Sequence, residues 1–327
     1  MHTSHRYLSR KIVDEPFHDK KQLKDMWGET WGVVNDIQPI KKILMHRPGK
    51  EILSLHNNAQ QIEYGSILAK NIKGTLPQNG ETTGLPNLGR LQIQHDQLAK
   101  VLTQEGIEVI YLEGETESWP ERTFTRDLGM VIPGGVILPR LALYIRYGET
   151  VYASQTFSCA GMPMLGCIQG NGFAEGGSFT MLDSTTAIIG RSERVNQSGI
   201  EQVRHILSHQ NIDLLSVDLP STIIHLDEAF LLLDEHTALI NQALLPFWFL
   251  DELHKRKLKL LHVDPRDPAL SINVLPIAPG KVVCPSSGSK TNELLKSSGI
   301  HVIEVDVSEF YKLGGGIHCL TLPLMRR

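Results

Sequence analysis

Cysteine is scarce: only Cys159, Cys167, Cys284 and Cys319 occur in 327 residues, and no two form a CxxC pair. The fourteen histidines show neither HExxH nor HxH spacing. These absences argue against a disulfide framework and against a structural or catalytic zinc. No run of lysine and arginine is interleaved with aromatics and the formal charge is only −4, so a nucleic-acid surface is not expected. No apolar leader opens the chain and no apolar span is long enough to cross a membrane. What is left is the expectation of a reduced, soluble, cytoplasmic protein of ordinary composition, with one large α/β domain or two.

Residues 1–39 are polar and read as an N-terminal extension packed on the body, with Trp27 and Trp31 spaced to share one helix face. A strand is expected over Lys41–Met45, stopped by Arg47-Pro48-Gly49. Leu53 to Gly89 is rich in Asn, Gln, Gly and Thr and reads as a long loop with a short helix at Ile62–Lys70. Loops of that length in compact proteins are usually lids or disordered.

Beyond the loop the chain repeats itself. Helical stretches run into short strands ending in an acidic residue, at Gly106–Glu113, Asn211–Asp218, Lys257–Asp264 and Gly299–Asp306, with a weaker copy at Gly161–Ile168. Between each such strand and the next helix lies a hairpin of two apolar runs, at Met130–Leu138, Phe179–Ile189, Ala229–Ile240 and Val274–Val283. The N-terminal strand and a C-terminal Leu320–Leu324 strand, ended by Pro323, can close a fifth unit. Strand-strand-helix-strand units cannot bury their faces alone, so they pack around a common axis. The reading is an α/β fold, a five-bladed pseudo-symmetric propeller of ββαβ repeats, with residues 40–327 as one catalytic domain.

The segment entering each hairpin is polar: Phe124-Thr-Arg-Asp127, Glu175-Gly-Gly177, His225-Leu-Asp227, Asn273 and Gly314-Gly-Gly-Ile-His-Cys319. Pseudo-symmetry places these segments in one ring at the axis, and strand alternation puts His225 and Asp227 on one face. A thiol on a glycine loop suits a nucleophile, since a thiolate needs access and nearby positive charge. Carboxylates around Cys319 raise its pKa unless a cation lies among them, and a planar guanidinium that donates paired hydrogen bonds to them fits that role as substrate. A histidine held by a carboxylate supplies acid/base chemistry.

These motifs, with Gly190-Arg-Ser-Glu-Arg194, resemble the guanidino-group-modifying superfamily of arginine deiminases, dimethylarginine dimethylaminohydrolases and amidinotransferases, from about Ile43 onward. The resemblance implies a five-bladed α/β propeller, a covalent amidino-cysteine intermediate, no metal and no cofactor. By motif, Cys319 is the nucleophile, His225 the general acid/base, Glu175 the carboxylate that holds it, and Asp127 and Asp227 the pair gripping the guanidinium. Arg194 corresponds to the arginine that binds the substrate carboxylate, and Arg146 is a weaker candidate for the same job. His318 is read as structural, turned away by alternation. Two departures are Ser178, where many members carry Asp after Glu-Gly-Gly, and Glu121, where deiminases carry Asn; Glu121 is a candidate contact for a substrate amine. The implied activity is hydrolysis of arginine or an N-methylated arginine to citrulline. The alternatives are an amidinotransferase, in which an amine replaces water, and a catalytically idle propeller that only binds cations. The implied partner is a small guanidino substrate; a homo-oligomer is compatible, while nucleic acid and membrane are not expected.

Overall fold

The structure is a computed structural model that describes residues 12–54 and 86–327. The helix expected at Ile62–Lys70 and most of its loop lie outside the described residues. Helix α1 (Lys20–Trp27) starts where Asp19 Oδ1 accepts the backbone N–H groups of Lys21 and Gln22, and stops at Gly28 in the left-handed region. Trp31 therefore does not share the helix with Trp27. It is buried beyond it, where the Gly32 N–H donates to Leu324 O at 3.1 Å and the Gly134 N–H to Trp31 O at 3.0 Å.

Among the described residues five three-stranded sheets follow, each an antiparallel pair with a third strand added in parallel. The second blade is β3 (Met130–Ile132), β4 (Gly135–Leu138) and β5 (Met164–Cys167), with α3 (Glu149–Ala160) as the crossover. The third is β6 (Phe179–Met181), β7 (Thr186–Arg191) and β8 (Asp213–Asp218) around α4 (Gln197–Ser208). The fourth is β9 (Phe230–Asp234), β10 (Thr237–Ile240) and β11 (Lys259–His262) around α5 (Phe247–Lys255). The fifth is β12 (Leu275–Ala278), β13 (Lys281–Pro285) and β14 (His301–Val305) around α6 (Ser289–Ser297). The first blade joins the two ends of the chain: β1 (Ile40–Met45) pairs antiparallel with β15 (Leu322–Arg326) and parallel with β2 (Glu108–Tyr111), after α2 (Leu88–Gln104). The fold is the five-bladed α/β propeller expected from the repeat.

The first strand of each blade is buried and the parallel third strand half-exposed, as β3 against β5 shows. That difference explains the runs of Val, Ile and Leu in the hairpins and the charges in the third strands. Apolar faces of neighbouring blades meet directly: Leu231 and Leu233 of the fourth blade pack with Val274 and Val282 of the fifth. One expectation fails at Pro323, which does not end its strand but pairs with Ile43 inside β15. β15 is the edge strand of its sheet, where a missing N–H breaks no ladder, and Pro276 occupies the matching edge in β12.

The seam between the second and third blades is close. A Cβ on Gly176 would collide with the carbonyl oxygens of Arg126 and Gly129, both backbone and neither free to turn aside. Gly176→Ala is expected to destabilise the fold by about 1–3 kcal/mol, the usual cost of overpacking. Urea unfolding measures it, and an unchanged midpoint would contradict this account of the seam.

Candidate active site

The polar residues singled out by motif stand on single 3-10 turns or caps that precede the first strand of each blade. Asp127 lies in the turn Thr125–Leu128, Glu175 caps Gly176–Ser178, His225 caps Leu226–Glu228, and Asn273 ends Ala269–Ile272. Cys319 sits in the turns between Gly314 and β15. His225 and Asp227 consequently meet through a turn and not through strand alternation. Glu228 holds that turn by accepting the N–H groups of Ile224 and His225 at 2.9 and 3.0 Å.

The five turns converge. The Gly177 N–H donates to Asp127 Oδ1 at 3.1 Å, and His225 Nδ1 lies 3.6 Å from the same oxygen. His225 Nε2–H donates to Glu175 Oε2 at 2.8 Å. Cys319 Sγ lies 3.7 Å from Asp227 Oδ2, and the Cys319 N–H donates to Asn273 Oδ1 at 3.1 Å. Gly315 and Gly316 are needed for this approach, since side chains there would strike the Phe124 ring and Asn273. Cys319 is only 7% exposed.

Charge decides how these groups ionise. Burial would lower the His225 pKa, but Asp127 and the bonded Glu175 outweigh it and raise it to about 9. Burial would raise Glu175, but the His225 bond and the Arg194 charge hold it at about 2. Burial, then Asp227 and Asp127, push the Cys319 thiol well above its ordinary value. The free site therefore pairs a protonated histidine with a protonated thiol.

The arginines differ. Arg146 is 1% exposed and turned inward: its guanidinium binds Asp127, donates to both Glu149 oxygens, and reaches Phe124 O at 3.2 Å. Glu121 stands 3.5 Å from Arg146 Nε. Arg194 lies 3.5 Å from Glu175, and its Nε and Nη1 are buried with no hydrogen-bond partner among the described residues. Asp227 Oδ1 is likewise buried and without a hydrogen-bond partner among the described residues, as is the Ser178 hydroxyl at the position that departs from the family pattern. Glu149 was not anticipated. Its only sequence signal is the three-residue spacing from Arg146, which is common on helices. Ligand atoms of Asp127, Glu175 and His225 lie within 4.8 Å of one another, as a metal-ligand set would, although a metal there would have to displace the His225 proton.

A profile of the family described as N,N dimethylarginine dimethylhydrolase, eukaryotic, matches residues 87–326. The chain belongs to that family. With it the chain joins the guanidino-group-modifying superfamily that its motifs resemble. An uncharacterised Bacillus subtilis protein, YkgA, is 33% identical over 234 residues, 71% of this chain and 79% of YkgA. Arginine deiminase of Listeria monocytogenes is 28% identical over 253 residues, 63% of this chain and 62% of the deiminase. A mutant dimethylarginine dimethylaminohydrolase from Pseudomonas aeruginosa, solved with citrulline, superposes with a TM-score of 0.69 at 21% identity. That match covers 87% of this chain and 99% of the other, and at such identity it speaks for the fold.

For this dimethylarginine dimethylhydrolase family member, the Glu175–His225 pair predicts a pH dependence of stability. His225 rises from 6.5 to about 9 on folding, so its contribution is complete below pH 6.5 and lost as pH rises through 9. Glu175 falls from 4.5 to about 2, so its contribution is complete above pH 4.5 and lost as pH falls through 2. Urea midpoints of the native protein are expected to fall between pH 6.5 and 9, and Glu175→Gln to flatten that fall. Parallel pH profiles for the two proteins would contradict the coupling.

Proposed function

We propose that the chain is a cysteine-dependent hydrolase of the guanidino group of arginine or an N-methylated arginine, giving citrulline plus ammonia or an alkylamine. The observation that carries this reading is the buried Asp227 carboxylate, whose Oδ1 has no hydrogen-bond partner among the described residues and whose Oδ2 lies beside a thiol whose ionisation burial and carboxylates oppose. A guanidinium supplies both the hydrogen-bond donors and the positive charge that this arrangement lacks. Held between Asp227 and Asp127, it would stabilise the thiolate and present its central carbon to Sγ.

The steps then follow from the site. As the cation binds, the Cys319 thiol loses its proton to solvent; the thiolate adds to the guanidinium carbon, and His225, protonated in the free site, gives a proton to the departing amine. The C–N bond breaks and an amidino group remains on sulfur. Neutral His225 next takes a proton from water as its oxygen adds to the same carbon. The added hydroxyl gives up its remaining proton as the C–S bond breaks, the ureido product leaves, and the Cys319 thiolate takes up a proton to restore the free-site thiol. Glu175 fixes the imidazole throughout. Arg194 is assigned to the substrate carboxylate, because its unpartnered Nε and Nη1 offer the donors. Arg146 is assigned to holding Asp127, since its guanidinium is engaged within the protein. Glu121, 21% exposed at its side chain, remains the candidate contact for a substrate amine.

Assays of citrulline, ornithine, ammonia and alkylamine over arginine, N-methylated arginines and agmatine test the reading. Citrulline formation without an added amine is expected. Ornithine formed only when an amine acceptor is supplied would make the chain an amidinotransferase instead. Cys319→Ser is expected to abolish turnover and His225→Ala to lower kcat by about 10²–10⁴-fold. A His225→Ala effect confined to KM would make that residue a binding group.

The assignment of Arg194 has its own test. Arg194→Ala is expected to cost arginine-type substrates about 2–5 kcal/mol in kcat/KM, the effect of truncating one partner of a buried charge pair. Agmatine, which has no carboxylate, should scarcely respond. Equal losses for both compounds would make Arg194 a support for Glu175.

A further inference from the structure

His318 does not point away from the reacting groups as alternation predicts, because residues before Leu322 are in turns and β15 has not begun. Its ring turns into the pit, where Nδ1–H donates to Asp227 Oδ2 at 2.7 Å, and the residue is 5% exposed. The same Oδ2 lies 3.7 Å from Cys319 Sγ, while Oδ1 has no hydrogen-bond partner among the described residues. One oxygen of Asp227 is thus occupied by the protein and the other is left over.

The backbone of His318 is pinned on both sides. Its N–H donates to Asn273 O at 3.3 Å, and its carbonyl accepts from Thr321 N at 3.1 Å, Thr321 Oγ1 at 3.2 Å and Arg126 Nε at 3.4 Å. The backbone that carries the imidazole is therefore fixed, and the Nδ1–H bond ties the Asp227 carboxylate to it. Burial and the neighbouring Arg126 charge lower the His318 pKa, which favours a neutral donor over an imidazolium that would cancel the Asp227 charge.

The geometry points to His318 as the positioning residue that fixes Asp227, so that its free Oδ1 faces a bound guanidinium or amidinium cation. The inference rests on the guanidinium reading of the site and adds to it the device that orients one of its two carboxylates. A residue of this kind acts through its neighbour, and losing the support of a site group typically costs about 10–100-fold in function.

Two alkylating agents of the same shape separate the possibilities. 2-Chloroacetamidine is a cation, and chloroacetamide is neutral; both report on Cys319 by covalent capture. In the unaltered protein the amidine should react faster than the amide, because Asp227 gathers it beside the thiol. His318→Asn keeps an N–H donor near the place of Nδ1 and should stay within about threefold on both reagents. His318→Gln carries its donor further out, and His318→Leu has none; both should lose about tenfold or more with the amidine and less than about twofold with the amide.

Equal losses on the two reagents would overturn the inference, since His318 would then serve the thiol or the packing and not the cation. Unchanged amidine capture in Gln and Leu variants would overturn it too. If a variant fails to fold, the Asn and Gln pair still decides, because both are polar and differ in donor position. An unaltered protein that shows no preference for the amidine would defeat the guanidinium reading itself, which is a separate outcome from the failure of His318.

Discussion

Carboxylates buried within a few ångströms of one another stay ionised only if cations or hydrogen-bond donors hold them, and this constraint governs the axial pit. Asp127, Glu175 and Asp227 are each buried; Arg146 and protonated His225 hold the first two, and Asp227 has the N–H of neutral His318 on its Oδ2. Burying a charge without such a partner costs several kcal/mol. The second layer is also strained electrostatically. Burial and the nearby Glu121 and Asp127 push Glu149 up to about 8 even though Arg146 donates to it. The surplus of negative charge is concentrated toward Asp227 Oδ1 and the thiol. On the proposed reading, the substrate cation completes a charge balance that the protein leaves open.

The propeller makes the convergence possible. Each blade contributes one short turn to the axis, and each turn is tied to a neighbour by hydrogen bonds or close packing, as between Gly176 and the carbonyls of Arg126 and Gly129. Because β15 of the first blade starts at Leu322, shortly after Cys319, the thiol is anchored near the strand that joins the first blade to the last stretch of the chain. Its N–H rests on Asn273 and its carbonyl accepts from the Arg126 N–H, so two further blades fix it. Position on rigid elements, not on mobile loops, is what holds reacting groups to a productive geometry.

Most of this fold could be read from sequence because the signal was repeated. A single apolar hairpin is ambiguous, but four of them in register with helix-strand units leave few architectures. The ring of polar entry segments was legible for the same reason. What escaped was local backbone: alternation assumed strands where His225, Asp227 and His318 stand on turns, and it misplaced His318 entirely. Pro323 was taken as a terminator because edge position is not visible before the sheet is known. Glu149 and the inward set of Arg146 escaped because a charged residue three places away on a helix is ordinary. Trp27 and Trp31 had the right spacing, but Gly28 ended the helix between them.

The central claim is that substrate charge, and not a preformed ion pair, ionises Cys319. It is tested most directly by following thiolate absorbance near 240 nm against pH, with and without a saturating amidinium ligand that does not react. A free protein with little thiolate at neutral pH, and a titration that moves downward when the cation binds, is the predicted result. A thiolate already formed at pH 6 in the free protein would contradict the account and make protonated His225 its standing partner.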